Sequence, residues 1–439
     1  MYQFYSVSLG NIAEMNEKQV LIISYYFPPM GLSGVQRTLK FVKYLPFYKW
    51  KPIVLTTSSA NFYAFDETLS KELPEENYKV YRAGKSDSGF RRDNKYKIKK
   101  FPLYITQKIG RALTQTIFQP DSKRPWLKYA LKKAEEIIKE NNIDVIFATA
   151  PPFTDFLVAE KLSSKFGLPY IIDYRDVWID NPFHFYATPF HKLYSIKLES
   201  KILTHAFKAI VTIRNTKELL LKRYRFLSHN DIEIIPHGFD PDDFDYTLTE
   251  SKPKDKFIIT HSGLFQDNRT PKYFLKAVDM FFKKRPEAKN KTELRFIGLM
   301  RKNHLKLIKN YGLSENVKLL GYLNHKETIK NILHSDVLWL MLMDNVRSPG
   351  KLYEYFAARK SILACVPDGS IKKLLEESEA AYITKPDDVN EIYNGLNTLY
   401  DLWKNDNLFF PKISFVEQFN RKILTGDLAK NLELAIDLK

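Results

Sequence analysis

Three polar residues surround the start of a predicted helix late in the chain. Residues 348–355 read SPGKLYEY, so a Pro-Gly turn follows Ser348, and Lys351 and Glu354 lie one turn apart. A helix N-terminus offers free N–H groups and a partial positive charge, which favour phosphate. A carboxylate such as that of Glu354 can accept hydrogen bonds from ribose hydroxyls. The pattern indicates a nucleotide site, with an ordinary capped crossover helix as the alternative.

A second candidate anion-binding loop lies earlier in the chain. The apolar run IITHSG contains His261 and ends at Gly263, and Arg269 then precedes the next predicted helix. Open α/β sheets bind ligands at the carboxyl ends of their strands. We therefore predict that Gly263 and Arg269 hold an anion. His261 is either a ligand contact or a polar packing residue.

Polar turns also follow apolar strands in the N-terminal half. GLSGVQR, around Gly34, can bring backbone close to a ligand, although it lacks the G-x-G-x-x-G spacing of dinucleotide-binding folds. DYRDVW places Arg175 and Asp176 after a strand, and PHGFD places His237 after another. The alternatives are a plain turn at Gly34, a structural ion pair at Arg175–Asp176 and a packing role for His237.

In this order, the segments resemble GT-B glycosyltransferases of the family 4-like (GT4) group. SPGKLYEY and the Gly263 loop resemble the group's C-terminal domain, and the first strand with its glycine turn resembles its opening. DYRDVW resembles the D-F-R-D-P-W motif of a bacterial subgroup, with Val177 at the proline. PHGFD resembles an N-G-[YV]-D turn, with His237 at the Asn. The resemblance covers nearly the whole chain and is specific for the fold and for glycosyl transfer, not for the sugar.

The resemblance implies a nucleotide diphosphate sugar as donor substrate, with no cofactor and no metal ion. It implies retention of anomeric configuration, with Arg175 and Asp176 as the catalytic, acceptor-facing pair and Asp176 orienting the attacking hydroxyl. His237 and His261 are possible acceptor or donor contacts. The residues implied to bind the nucleotide sugar are Gly34, Gly263, Arg269, Ser348, Lys351 and Glu354.

One family feature is absent. Many members carry two glutamates separated by seven residues, but Val346 stands eight positions before Glu354. In the family, that first acid lies close to the donor sugar. We expect Arg347, Ser348 or Lys351 to line that space here.

The elements that must position these residues follow from length and periodicity. A chain of 439 residues exceeds one ordinary core, and apolar strands alternate with amphipathic helices throughout. With the resemblance, this predicts an α/β, GT-B fold: two Rossmann-like, doubly wound parallel-sheet domains facing across a cleft. The predicted parts are residues 1–245, residues 256–410, and a C-terminal helix at 411–439 that packs back on the N-terminal domain. Strands are predicted near 20–24, 52–56, 144–148, 170–173, 209–213 and 232–235, then near 257–261, 293–297, 316–320, 336–341, 361–365 and 381–384.

Composition excludes several classes of site. A single cysteine, Cys365, excludes internal disulfides and multi-cysteine metal sites, and it is expected to be a buried core thiol. The acidic run DPDD at 240–243 matches a metal-binding D-x-D but sits in a Pro-rich turn, which favours the turn interpretation. No apolar run of about 20 residues occurs. The start resembles no signal peptide, with Met15 as an alternative start, and we expect a cytoplasmic protein.

The formal charge is +17, and much of the excess lies in a basic segment at about 84–112. Its lysines and arginines alternate with aromatic residues, a composition that can hold a protein on anionic lipid. The alternatives are a solvated insertion and a nucleic-acid contact, and we expect no nucleic acid. The resemblance implies a lipid-linked or saccharide acceptor and a role in cell-surface polysaccharide, lipopolysaccharide or capsule synthesis.

Two other functions remain open from sequence. A sugar-nucleotide epimerase shares the two-domain fold and would release free sugar without an acceptor. A non-catalytic basic module would bind lipid or nucleic acid in a salt-dependent manner with no nucleotide site.

Overall fold

The computed structural model describes residues 17–31, 33–58, 66–73, 77–84, 114–182, 184–247, 255–265 and 268–438. The first 16 residues, nearly all of the basic segment and most of the predicted linker at 247–255 lie outside these ranges. The described strands are β1 Lys18–Ile23, β2 Trp50–Thr57, β3 Lys79–Ala83, β4 Val145–Ala150, β5 Tyr170–Tyr174, β6 Lys208–Val211, β7 Ile232–Ile234, β8 Phe257–Ser262, β9 Thr292–Ile297, β10 Val317–Gly321, β11 Val337–Met341, β12 Ser361–Cys365 and β13 Ala381–Thr384.

These strands form two parallel sheets, one in each half of the chain. The first has the order β3-β2-β1-β4-β5-β6-β7 and the second the order β10-β9-β8-β11-β12-β13. Every described pairing between neighbours is parallel. In each sheet the first strand lies inside the order, so the chain winds outward in both directions. This is the doubly wound arrangement that the sequence predicts.

Helices cover both faces of both sheets. In β1, Leu21 and Ile23 pack into one apolar cluster, and Val20 and Ile22 pack into the cluster on the opposite face. Strands buried on both faces read as continuous apolar runs, which explains this segment. The described helices are Gln36–Tyr44, Glu67–Ser70, Leu127–Glu140, Thr154–Phe166, Pro189–His205, Arg214–Arg223, Lys272–Lys284, Pro286–Lys289, Lys302–Asn310, His325–Leu333, Gly350–Ala357, Ser370–Glu377, Val389–Lys404, Ile413–Glu417 and Arg421–Asp437.

Each predicted strand corresponds to an observed strand, and no end is shifted by more than two residues. Sequence interpretation missed β3, which pairs with β2 at the edge of the first sheet. Its residues, KVYRA, are mostly half-buried or exposed, so the segment lacks the apolar run that marks the inner strands.

The last helix, Arg421–Asp437, packs on the first domain. Leu424, Leu428 and Leu432 join the apolar cluster of β1 and the helix Gln36–Tyr44. The chain crosses back beside Gly238, where an added Cβ would overlap the carbonyl oxygen of Phe419. Glycine is therefore required in the PHGFD turn for this close approach. Among the described residues, no helix has the length and hydrophobicity needed to cross a bilayer.

Candidate active site

The loop after β8 approaches the helix Gly350–Ala357 closely. Gly263 has φ +125°, in the region that favours glycine, and an added Cβ would lie 3.0 Å from Lys351 Nζ. The Gly263 N–H donates to Ile297 O at the end of β9, 2.8 Å away. The turn thus brings backbone and an ammonium group together at the carboxyl edge of the sheet.

Lys351 makes one hydrogen bond within the protein and has a lowered pKa. Its Nζ donates to the carbonyl oxygen of Ser262 at 2.6 Å. Burial, reinforced by the nearby Arg269 guanidinium and opposed by Glu354, lowers the pKa of Lys351 to about 7. Two cations near one carboxylate make this edge favourable for an anion.

Aromatic residues fix the backbone under this loop. The Ser262 N–H donates to the Tyr355 hydroxyl at 2.9 Å. The His261 ring stacks on Phe265, with centroids 4.6 Å apart, and its Nδ1 lies 3.0 Å from Trp339 O. Burial, with the nearby Lys351 and Arg269, keeps the pKa of His261 well below its ordinary value, so the ring is neutral. Its buried Nε2 has no partner in the described part of the chain, so His261 packs mainly through its ring.

Glu354, on the same helix, is linked to the first domain through His325. Its Oε1 lies 3.9 Å from Nδ1 of His325, whose Nε2 lies 3.0 Å from Asp243 Oδ2 in the first domain. The side chains of Glu354 and His325 are both mostly buried. The predicted ribose-binding carboxylate is therefore part of an interdomain ion-pair chain.

In the first domain, the buried ion pair at this edge is Arg37–Asp173, which sequence interpretation missed. The Arg37 guanidinium donates to both oxygens of Asp173, at 2.8 and 3.0 Å for the shortest contacts, and to the carbonyls of Ile235 and Pro236. Thr149 also donates to Asp173. This network ties the helix after the Gly34 turn to β5 and to the PHGFD turn.

Arg175 is buried and faces backbone oxygens. It donates to the carbonyls of Gly34, Pro151 and Ala150. Burial, opposed by nearby carboxylates, lowers its pKa from the usual value. The observed partners indicate that Arg175 holds the Gly34 turn beside the end of β4. Gly34 itself is exposed and has no positive φ.

Asp176 lies within electrostatic reach of the second domain. Burial raises its pKa, and the charges that act on it include Arg175 beside it and Arg347, Asp344 and Arg269 across the cleft. Arg347 donates to Asp344 at 2.6 Å, just before the SPGKLYEY segment, where the family's first glutamate is absent. Asp176 and the predicted donor edge therefore share one electrostatic environment.

His237 and Ser348 both lie next to Tyr353 at the same junction. The His237 ring centroid is 6.3 Å from that of Tyr353, and the Ser348 hydroxyl is 3.4 Å from the Tyr353 hydroxyl. Burial, reinforced by Arg37, Arg421 and Arg175, keeps the pKa of His237 well below its ordinary value. A neutral imidazole is thus placed among cations at the domain junction.

Among the described residues, Glu72, Asp240 and Asp243 form a carboxylate cluster that has the dimensions of a metal site. However, Lys40 Nζ lies among them, 2.5, 2.6 and 3.1 Å from their oxygens. Burial works to lower the pKa of Lys40, but the three carboxylates together outweigh burial, so the pKa is raised above its usual value. The cluster neutralises a buried ammonium that occupies the space of a cation. Asp240 caps the turn by accepting from the Asp242 N–H, which confirms the turn interpretation of DPDD.

Two family models match the chain in succession. The model for Glycosyltransferase Family 4 matches residues 67–243, and the model for Glycosyl transferases group 1 matches residues 248–409. The chain is a GT4-like glycosyltransferase with the GT-B fold. No curated protein sequence matched this glycosyltransferase.

Solved structures share the fold at low sequence identity. Sucrose-phosphate synthase from Thermosynechococcus elongatus has a TM-score of 0.67 and 13% identity, with 96% of this chain and 100% of that chain covered. A glycosyltransferase from Rickettsia africae has a TM-score of 0.64 and 15% identity, with 97% and 100% covered. HepE from Anabaena, solved with UDP and glucose, has a TM-score of 0.63 and 14% identity, with 95% and 99% covered.

Sequence interpretation missed the interdomain partners of the glycosyltransferase. Arg37 and Lys40 lie one turn apart on the helix Gln36–Tyr44, and their basic character was compatible with an exposed helix face. Tyr355 lies within the SPGKLYEY segment, but nothing in its spacing indicates a bond to the Gly263 loop. His325 follows the N-cap residue Asn324, and only the tertiary fold brings it to Asp243.

Proposed function

We propose that the glycosyltransferase moves a sugar from a nucleotide diphosphate sugar to an acceptor hydroxyl, with retention of anomeric configuration and without a metal ion. The bond between the anomeric carbon and the β-phosphate oxygen breaks, and the anomeric carbon bonds to the acceptor oxygen. The acceptor loses its proton. The leaving group is a nucleoside diphosphate.

The observation that carries this proposal is Lys351 held against the Gly263 loop, with Arg269 and Glu354 in its electrostatic environment. Lys351, Arg269 and the Gly263 backbone would stabilise the charge that develops on the diphosphate. Glu354 would accept from the ribose hydroxyls, and Ser348 and Gly34 would line the donor site. HepE, of the same fold, was solved with UDP and glucose, which is compatible with such a donor.

On the opposite side, Asp176 would orient the acceptor hydroxyl and accept its proton. Arg175, bonded to three carbonyls, would act on the acceptor side by holding the loops that surround Asp176. His237 and His261 would shape the site without carrying charge. The Asp344–Arg347 pair would lie near the donor sugar, where the family's first glutamate is absent.

The experiment is a thermal-shift screen against UDP, GDP, ADP and CMP, followed by a transfer assay with the matching sugars. A ligand at about 100 times its dissociation constant adds about 2.7 kcal/mol of stability. We expect one diphosphate to stabilise the protein and Glu354→Ala to remove the effect. Glu379→Ala is the matched control, because this glutamate is exposed and pairs only with surface Lys412 among the described residues. No shift in a folded protein would overturn the donor site, and release of free sugar without acceptor would indicate an epimerase.

We further propose that the acceptor is lipid-linked, in cell-surface polysaccharide, lipopolysaccharide or capsule synthesis, and that the first domain contacts an anionic membrane at the cytoplasmic face. The support is an exposed apolar patch of five residues. Phe190 and Leu193, 79% and 60% exposed, lie on one face of the helix Pro189–His205 with Tyr194. The Phe185 N–H donates to the side chain of Gln115, and the Ser195 hydroxyl donates to the side chain of Gln119. These bonds bring the segment that carries the exposed Ile117, and the exposed Phe185, next to this helix.

The charges around this patch suit an anionic lipid surface. Lys192 and Lys197 are exposed on the same helix, while its glutamate, Glu199, is buried and accepts from Tyr174 and Tyr224. Apolar side chains flanked by lysines are typical of interfacial helices. In sequence, the basic segment at about 84–112 ends shortly before Ile117.

Vesicle sedimentation tests this contact. We expect the protein to sediment with phosphatidylcholine vesicles that contain phosphatidylserine, and the double variant Phe190→Ser, Leu193→Ser to remain in solution. The matched control is Phe410→Ser, Ile413→Ser, which removes two exposed apolar side chains from the second domain. Equal sedimentation of the two double variants would contradict the patch as the contact.

A further inference from the structure

His325 stands between the two domains with a carboxylate on each side. Its Nε2 lies 3.0 Å from Asp243 Oδ2, and its backbone N–H donates to Asp66 Oδ2 at 3.4 Å, both in the first domain. Its Nδ1 lies 3.9 Å from Glu354 Oε1 in the second domain. The first contact is a hydrogen bond, and the last is an ion-pair distance.

The charges that face His325 favour its protonated form. Burial works to lower the pKa of His325, but the carboxylates of Asp243 and Glu354 outweigh it and raise the pKa, with Lys40 acting in the opposite direction. Glu72 also lies within its electrostatic reach. Both ring nitrogens of an imidazolium are donors, so one ring can serve both carboxylates.

Asp243 is itself anchored in the first domain. It accepts from Lys40 Nζ at 3.1 Å, and Lys40 is fully buried on the helix that follows the Gly34 turn. Burial works to raise the pKa of Asp243, but His325 and Lys40, with Arg421, lower it below its usual range. A continuous chain, Lys40–Asp243–His325–Glu354, therefore runs from one domain to the other.

We propose that His325 is a positioning residue that sets the orientation of Glu354 only when the two domains are closed, and so couples closure to donor binding. The proposal rests on the proposed function in that Glu354 binds the donor ribose. When the domains separate, His325 loses Asp243 and the imidazolium loses its support. The carboxylate of Glu354 then loses its oriented partner, and affinity for the nucleotide falls.

Two measurements test the proposal. Nuclear magnetic resonance of histidine-labelled protein, with His325→Gln used for assignment, reports the titration of this ring directly. We expect Asp243→Asn and Glu354→Gln each to lower the pKa of His325. His205→Gln is the control, since this exposed histidine bonds only the carbonyl of Lys201 among the described residues.

Calorimetric titration with the nucleoside diphosphate that stabilises the protein is the second measurement. We expect His325→Gln and Asp243→Asn each to weaken binding about tenfold, a usual size for coupling between sites, and His205→Gln to leave it unchanged. Because the pKa of His325 is raised, the wild-type advantage should be present at low pH and disappear as pH rises through that pKa. Lys351 adds the same pH dependence to both proteins, so the difference between them isolates His325.

The outcomes separate this inference from the proposed function. If Glu354→Gln leaves the titration of His325 unchanged, or if His325→Gln binds the diphosphate as the wild type does at every pH, the inference is overturned. If the wild type binds no nucleoside diphosphate while the titration coupling is present, the proposed function fails, and with it the link to donor binding.

Discussion

The two edges of the cleft use charge in opposite ways. In the first domain, Arg37 is neutralised by Asp173 and Arg175 is bonded to three carbonyls. In the second, Lys351 is half-buried, donates to one carbonyl and lies near a second cation, and its pKa is lowered to about 7. Paired charges hold the loops of the first domain in place. A poorly neutralised cation instead lowers the stability of the free protein, and a bound anion removes that cost. We call the first edge, whose charges are paired, the frame, and we propose that the second edge binds an anion.

The largest expected effect is on the frame. Arg37→Met leaves Asp173 buried beside Thr149 without its cation, so we expect a loss of about 3–5 kcal/mol in the free energy of unfolding. Urea denaturation measures this loss. The matched control is Arg214→Met, which breaks the exposed pair with Glu218 and should cost less than about 1 kcal/mol. Similar losses in the two variants would contradict a structural role for Arg37.

The second largest effect is expected on catalysis and concerns Asp176 in the first domain. Its neighbours Arg37 and Arg175 are bonded within the protein, whereas we propose that Asp176 contacts the acceptor. We expect Asp176→Asn to lower kcat about 10²-fold, because a positioned proton acceptor is removed, with nucleotide affinity unchanged. A transfer assay and a binding titration on the same sample measure both quantities. The control is Asp368→Asn, at an exposed surface position. A variant that retains full kcat would show that Asp176 belongs to the frame.

On the donor edge, Lys351→Met should weaken nucleoside diphosphate binding by about 2 kcal/mol, the usual contribution of a hydrogen bond to a charged group. Because removal of a half-buried, poorly neutralised cation relieves a desolvation cost, we expect no loss of thermal stability in the free protein. The control is Lys272→Met, at the exposed first position of the helix Lys272–Lys284, and this variant should bind as the wild type does. A large fall in stability with unchanged binding would reverse the distinction between the two edges.

Sequence reasoning predicted the fold well because its signals are local. Inner strands such as VLII and the helices between them are legible as continuous apolar runs and 3.6-residue periods. The edge strand β3 was missed because the residues of KVYRA are mostly half-buried or exposed, so the segment has no continuous apolar run. The buried Cys365, which accepts from the Trp339 indole N–H at 3.3 Å, was predicted correctly from its strand.

The candidate site was predicted only as far as strand ends determine it. Gly263, Lys351 and Glu354 could be predicted to lie at one edge of the sheet because motif and strand end coincide there. Arg37, Lys40 and His325 could not, since their partners lie far away in sequence and polar residues on a helix read equally well as an exposed face. Whether Arg175 faces a ligand or a carbonyl depends on a few ångströms of loop geometry, which residue types do not encode.

The smallest expected effect concerns a single proton. Since the pKa of Lys351 is about 7, the side chain is charged below that pH and largely neutral at pH 8. A bound diphosphate favours the ammonium form of Lys351. Binding at pH 8 should therefore be accompanied by the uptake of at most about one proton from solution, and binding at pH 6 by almost no uptake at this residue. Calorimetric titrations in Tris and HEPES measure the uptake from the difference in observed heat. Lys351→Arg should take up less, because a guanidinium keeps its charge at both pH values and only His325 is left to gain a proton on binding. Equal proton uptake by the variant and the wild type would show that another group titrates on binding. It would also remove the contrast between the neutralised charges of the first edge and a poorly neutralised Lys351 at the second.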